Sequence, residues 1–146
     1  MSVQLKEVNN ENWEECVELK VLEEQNEYVP SNTYSIAQSK FENNMYLFAI
    51  YNDDCMVGFT SYILDDDGDM NLARFMIDKN YQGKGYGKLA LKEVIELIKN
   101  NFDNKEVWMS IHPNNTTGMK LYIDAGFKIT ETGLESEDEV FLKLDF

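Results

Sequence analysis

The chain has 146 residues, enough to bury one core and too few for two domains of ordinary size. Thirteen Lys and Arg against 27 Asp and Glu give a net charge of −14, which repels phosphate backbones and argues against nucleic acid as a partner. A 43% hydrophobic content without any membrane-length apolar run, an N-terminus that turns acidic at Glu7, and two widely spaced cysteines, Cys16 and Cys55, argue against a membrane span, an export signal, a disulfide framework or a zinc site. The expectation is a single cytoplasmic domain over 1–146, free of metal, whose partner is cationic.

In chain order, Asn9 or Asn10 can cap a first helix through Trp13, Cys16, Val17 and Val21, running to about Glu27 before Pro30 interrupts it. Ser31 or Asn32 can cap a second, short helix through Ala37 and Phe41. Tyr46–Tyr51 and Met56–Leu64 read as a hairpin around Asn52-Asp53-Asp54, and the turn 65–69 leads into a third strand, Met70–Ile77. An amphipathic helix follows over Gly85–Asn100, its apolar face carrying Leu89, Ala90, Val94, Leu97 and Ile98. Val107–Ile111 is a strand, Thr116–Ala125 a short helix, and strands near Phe127–Thr132 and Val140–Phe146 close the chain. A mixed sheet with helices on its faces, an α/β sandwich, is the economical packing.

Between the third strand and the amphipathic helix, residues 79–92 hold four lysines and no carboxylate, an island that suggests an anionic ligand. Within it Gly83, Gly85 and Gly87 alternate. Glycines leave the backbone free to take unusual turns and expose its amides, and the first N–H groups of a helix lack partners and carry the positive end of its dipole. The string is neither the P-loop, Gly-x-x-x-x-Gly-Lys-Ser/Thr, nor the dinucleotide fingerprint, Gly-x-Gly-x-x-Gly. The Asp-rich turn Asp65–Asp69 is no EF-hand either: Gly68 in the sixth position puts Ile63 first and Arg74 twelfth.

Phe75-Met-Ile-Asp-Lys-Asn-Tyr-Gln-Gly-Lys-Gly-Tyr-Gly87 resembles the pyrophosphate motif of the GCN5-related N-acetyltransferases, Gln/Arg-x-x-Gly-x-Gly/Ala. Downstream, Asn115-Thr-Thr-Gly-Met-Lys-Leu-Tyr-Ile-Asp-Ala-Gly-Phe127 resembles the family's Asn-x-x-Ala-x-x-Leu-Tyr-x-x-x-Gly-Phe, with Gly118 where Ala is common. The resemblance implies a mixed, mostly antiparallel sheet flanked by helices on both faces, with acetyl-CoA as co-substrate. It places the pyrophosphate on Gly83, Lys84, Gly85, Tyr86, Gly87 and Lys88 behind Gln82, the pantetheine arm along Phe75, Met76 and Ile77, and Asn115 against the cofactor. It makes Tyr122 the general acid for the leaving thiolate.

For the base, relatives carry acids at positions that resemble Ala73 and Ser110, and both acids are missing here; His112 or a water chain remains. The stretch 74–85 and the upstream Gln25–Asn32 look most like bacterial spermine/spermidine acetyltransferases, which makes Glu24, Glu27 and Tyr28 the candidate acceptor contacts. A polyamine is the leading acceptor, with net charge in agreement. A protein N-terminus, an amino acid or an aminoglycoside stays open, as does a non-catalytic acetyl-CoA-binding module. Homodimers occur among the family the chain resembles, and a homodimer is possible here.

Overall fold

The computed structural model describes residues 2–146. The elements are β1 (Val3–Glu7), α1 (Trp13–Glu18), a 3-10 turn (Glu23–Gln25), α2 (Asn32–Ser39), β2 (Met45–Asn52), β3 (Cys55–Leu64), β4 (Met70–Ile77), α3 (Tyr86–Asn101), β5 (Glu106–Ile111), α4 (Thr116–Asp124), β6 (Lys128–Ile129) and β7 (Val140–Asp145). The strands form one seven-stranded sheet in the order β1-β2-β3-β4-β5-β7-β6. Every neighbouring pair is antiparallel except β4 and β5.

Each face of the sheet is covered by a helical pair. Leu91, Val94 and Ile98 of α3 and Tyr122 of α4 pack with Met70, Leu72, Val107, Met109 and Leu142 on one face. On the other, Cys16 of α1 and Ile36 of α2 pack with Ala49, Tyr51, Met56, Phe59 and Met76. These buried apolar side chains supply the main driving force, at about 25 cal/mol per Å² removed from water.

Local chemistry sets the element ends. Ser31 caps α2, its Oγ accepting from the Tyr34 N–H at 3.1 Å. The β2–β3 turn carries Asp53 at φ 52°, a left-handed conformation that a short acidic side chain tolerates. In the Asp-rich turn, Asp65 Oδ1 accepts from the N–H groups of Asp67 at 3.0 Å and Asp69 at 2.9 Å, so the carboxylate closes the turn itself.

Two expectations are corrected and one strand is added. The first helix does not run to Glu27; it ends at Glu18, and Leu19 is extended with ψ 136°. The segment that follows is drawn out of helix because Lys20 N donates to Asp78 Oδ1 at 2.8 Å and Lys20 O accepts from Lys79 N at 2.7 Å, fastening it to the end of β4. The N-terminal residues 3–7 form an edge strand on β2 that sequence reading did not pick out. The penultimate strand shrinks to Lys128–Ile129, extended only by the bond from Thr130 N to Phe141 O at 2.9 Å.

The centre of the sheet is irregular. On β4, Leu72 pairs with Tyr62 and Arg74 with Ser61, leaving Ala73 as a bulge residue without a partner on β3. The extra residue keeps Phe75 and Ile77 on the α3 face with Met70 and Leu72. On its other side β4 pairs with β5 only at Asn71 and Trp108. Beyond that point the two strands part, and the opening passes through the sheet.

Candidate active site

A cleft of about 310 Å³ occupies the opening on the α3 side, between the end of β4, the glycine loop and the start of α4. The loop has the form an anion requires. Gly83 and Gly85 have φ of 75° and 89°, in the left-handed region that favours glycine. Among the described residues, the backbone N–H groups of residues 82–88 find no acceptor, and the first ladder bond of α3 is Leu89 N to Gly85 O at 3.5 Å. The third glycine differs from expectation: Gly87 lies in the first turn of α3, where an added Cβ would stand 3.7 Å from Leu121, an ordinary contact. Two glycines, not three, are dictated by backbone shape.

Side chains of the loop mostly hold the loop. The Gln82 amide donates to Ile77 O and to Gln25 Oε1, both at 2.9 Å, while Gln25 Nε2 returns a bond to Gln82 Oε1 at 3.3 Å. Gln25 Oε1 also accepts from Leu22 N at 3.1 Å, so one carboxamide ties the 3-10 turn to the loop across 57 residues of sequence. The Tyr86 hydroxyl accepts from Asn52 Nδ2 at 3.0 Å and its ring stands edge-on to Tyr81 at 6.4 Å. Lys84 and Lys88 are exposed beside the bare amides without an ion pair among the described residues, Lys84 Nζ lying over the Tyr81 ring at 5.9 Å. Phe75, Met76 and Ile77 line the cleft wall.

Asn115 caps α4, its Oδ1 accepting from Gly118 N at 3.1 Å, while among the described residues its Nδ2 donates to nothing. With Phe75, Val29 and Tyr122 it lines both this cleft and a pocket on the opposite side. Tyr122 projects from α4 between the rings of Phe75 and Phe127, at 6.3 and 5.9 Å. It is 7% exposed, and no hydrogen bond engages its hydroxyl among the described residues. Burial pushes its pKa up, because the phenolate would be poorly solvated. The group is a protonated phenol throughout the neutral range.

Past Tyr122 the opening continues as an inner pocket of about 80 Å³ and then a vestibule of about 340 Å³ on the α2 side. Ala73 and Ser110 both line the inner pocket, so no carboxylate stands at either position. Glu27, Tyr28 and His112 come together in the vestibule, whereas Glu24 is exposed on the 3-10 turn and lines neither space. The His112 ring lies 4.9 Å from that of Tyr28 at a tilt of 43°, its Nδ1 accepts from Asn114 N at 3.0 Å, and its Nε2 lies 3.4 Å from Asp138 Oδ1. The lone pair on Nδ1 is therefore engaged by the backbone, and the other nitrogen faces a carboxylate.

Asp138 and Glu139, from the loop before β7, complete the acidic lining. Sequence reading missed these two and Gln25. Only the antiparallel pairing of β5 with β7, which sets Ile111 against Val140, carries that loop to His112. The cysteines stay outside the site: burial and nearby Glu15 raise the Cys16 thiol to about 12, and Cys55 bonds the Tyr81 hydroxyl at 3.2 Å on the hairpin turn. No helix among the described residues is long and apolar enough to cross a membrane.

Residues 5–127 match the Acetyltransferase (GNAT) family. The chain is 33% identical over 135 residues to the spermine/spermidine N(1)-acetyltransferase of Bacillus subtilis (strain 168), covering 88% of this chain and 89% of that one. Two solved structures share the fold. The PaiA N-acetyltransferase of Thermoplasma acidophilum in complex with coenzyme A matches with a TM-score of 0.74 at 19% identity over the whole of both chains. The aminoglycoside acetyltransferase AAC(6')-Ib in complex with coenzyme A matches with a TM-score of 0.80 at 15% identity, over 99% of this chain and 95% of that one. A glycine loop with unpaired amides, a parted β4–β5 pair and a matched family span agree: the chain belongs to the GNAT family and is an acetyl-CoA-dependent N-acetyltransferase.

Proposed function

We propose that the acceptor is a polyamine of the spermidine or spermine type, acetylated on a primary amine by direct attack within a ternary complex. The observation that carries this reading is the vestibule: Glu27, Asp138 and Glu139 line a space that shares Tyr28, Ser110 and His112 with the inner pocket, and that pocket reaches Tyr122 from the side opposite the glycine loop. A flexible polycation gains twice from such a site. Carboxylates raise its local concentration, and binding the distal ammonium holds the reacting nitrogen at the thioester. The similarity to a Bacillus spermine/spermidine acetyltransferase supports the same acceptor class.

The chain's groups divide the labour. The amides of residues 82–88, with Lys84 and Lys88, suit a pyrophosphate, and the wall of Phe75 to Ile77 suits the apolar pantetheine arm. The adenosine end would continue into a groove of about 660 Å³ between α3 and α4, where Lys88 and Lys92 meet an apolar floor and Lys120 is paired with Asp124 at 2.8 Å. At the opening the amine nitrogen bonds the acetyl carbon, the carbon–sulfur bond breaks, and the departing thiolate takes a proton from Tyr122. The ammonium's proton leaves through the vestibule to solvent before attack, and the proton that the nitrogen sheds on acylation returns the Tyr122 phenolate to the phenol. With Nδ1 occupied by Asn114, His112 serves better as a wall that orients Tyr28 and Asp138 than as a direct base.

The test is thiol release from acetyl-CoA with spermine, spermidine, putrescine, an aminoglycoside, a basic peptide and a simple monoamine. Selective turnover of the polyamines is expected. Equal turnover of the monoamine, or turnover of the aminoglycoside alone, overturns the reading.

A further inference from the structure

Arg74 is the only arginine of the chain. It is half-buried on β4, and no carboxylate pairs with it among the described residues, in a protein with 27 acids. Its guanidinium bonds neutral oxygens instead. Nε donates to Ser35 Oγ at 3.2 Å, Nη2 to Gln38 Oε1 at 2.9 Å, and Nη1 to Ala73 O at 2.8 Å. Withdrawing a cation from water toward neutral acceptors opposes folding, so stability alone does not account for an arginine here.

Its position does. Ala73 is the bulge residue of β4, and the bulge lies just past the pair Asn71–Trp108, where β4 and β5 part. A bulge disrupts the ladder and leaves main-chain groups to be satisfied by other means. Arg74 Nη1 supplies a donor to Ala73 O, and Thr60 Oγ1 supplies one to the next carbonyl, Arg74 O, at 2.8 Å. The same guanidinium grips Ser35 and Gln38 of α2, the helix that follows directly on Tyr28, Val29 and Pro30, one wall of the inner acceptor pocket. A planar fork can serve these divergent acceptors at once; a lysine ammonium on its flexible stem is not preorganised to do so.

We propose that Arg74 is a positioning residue for acyl transfer. It fixes the β4 bulge, and with it the width of the β4–β5 opening, and it ties the acceptor wall to that width through α2. The inference rests on reading the opening as the place where acyl donor and amine meet. Arg74 also lines the inner pocket, and with its guanidinium turned to Ser35, Gln38 and Ala73 O it acts on the reaction through the strand and the helix it joins.

The experiment compares wild type, Arg74→Met, Arg74→Lys and Gln38→Ala in kcat and KM for the amine, in acetyl-CoA affinity, and in turnover of propionyl-CoA relative to acetyl-CoA. Arg74→Met is expected to lower kcat/KM for the amine about 30-fold, since small displacements of reacting groups are costly. Acetyl-CoA affinity should stay within about twofold, because uniform cofactor binding is untouched. The propionyl to acetyl ratio should rise about fivefold as the opening loosens. Arg74→Lys should recover little of the loss, and Gln38→Ala should shift every quantity in the same direction by less. A kcat/KM within about twofold of wild type, or a loss with the acyl preference unmoved, overturns the proposal. If Arg74→Met does not fold, Gln38→Ala carries the same test. The acyl preference is read with whichever amine wild type turns over, so failure of the clamp is distinct from failure of the polyamine reading.

Discussion

On the α3 side of the sheet opening the groups that face a ligand are chiefly backbone amides, held by two left-handed glycines and the start of a helix. On the α2 side they are side chains, Glu27, Tyr28, His112, Asp138 and Glu139, brought together from three separate segments. The first half is stiff because helix geometry aims its donors. The second can be rewritten one side chain at a time without touching the fold. A shared cofactor and a variable acceptor are what such a division permits.

Tyr122 stands between the halves, and its removal gives the largest expected effect. With Tyr122 as the proposed acid, Tyr122→Phe should lower kcat about 100-fold or more while leaving acetyl-CoA affinity within about twofold, since protonation of the leaving thiolate is needed mainly in the transition state. Single-turnover rates set beside a binding titration check this. Equal losses in rate and affinity would make Tyr122 part of the cofactor wall instead. The raised pKa adds a pH expectation. The phenol is lost only as pH rises past its elevated value, so kcat should show no falling limb near the ordinary phenol pKa of about 10.

The acceptor half is tested by Asp138→Asn with Glu139→Gln. On the polyamine reading, KM for spermidine should rise about tenfold, with kcat and acetyl-CoA affinity little changed, because these carboxylates would hold the substrate's remote cation. A monoamine should not notice the change. Added salt should weaken spermidine binding in wild type more than in the variant, as screening removes an attraction the variant already lacks. Loss of acetyl-CoA affinity in this variant would mean that the two halves are not separable.

Gln25→Ala probes the tie between them. The Gln25 amide holds Gln82 and the 3-10 turn, so its loss should loosen the glycine loop and weaken acetyl-CoA binding about fivefold by calorimetry. Affinity unchanged in Gln25→Ala would show that the turn of Gly83 and Gly85 maintains itself.

The same division explains what the sequence made legible. The glycine loop was readable because its geometry is local: Gly83, Gly85 and the helix they open lie within a few residues. Strand β4 came out with its full length, Met70–Ile77, for the same reason. The proposed acceptor residues were only partly readable because their neighbours are remote in sequence. Asp138 meets His112 only through the β5–β7 pairing, and Gln25 meets Gln82 only because Lys20 leaves the helix for Asp78 and β4. That capture also explains the overlong first helix, in which tertiary bonds outweigh a helical apolar spacing. Gly87 erred the opposite way, since a repeated glycine suggests a backbone need that the packing beside Leu121 does not impose.

The smallest expected effect lies at Gly118, where the family pattern that the chain resembles commonly has alanine. An added Cβ would stand 2.8 Å from Asn115 Nδ2 and 3.0 Å from Ile111 Cδ1, closer than side chains ordinarily approach. Both neighbours are ends of movable side chains, so Gly118→Ala should fold, with a helix-propensity gain of up to about 1 kcal/mol set against that displacement. Asn115 would have to swing while keeping its bond to residue 118, and its free Nδ2 would move within the cofactor cleft. Acetyl-CoA affinity should then fall about threefold with the acceptor KM unaltered, because a shifted but not deleted neutral donor costs only about 0.6 kcal/mol, toward the low end of a hydrogen bond's net worth. A change in acceptor KM instead would assign Asn115, which lines both spaces, to the amine side of the opening.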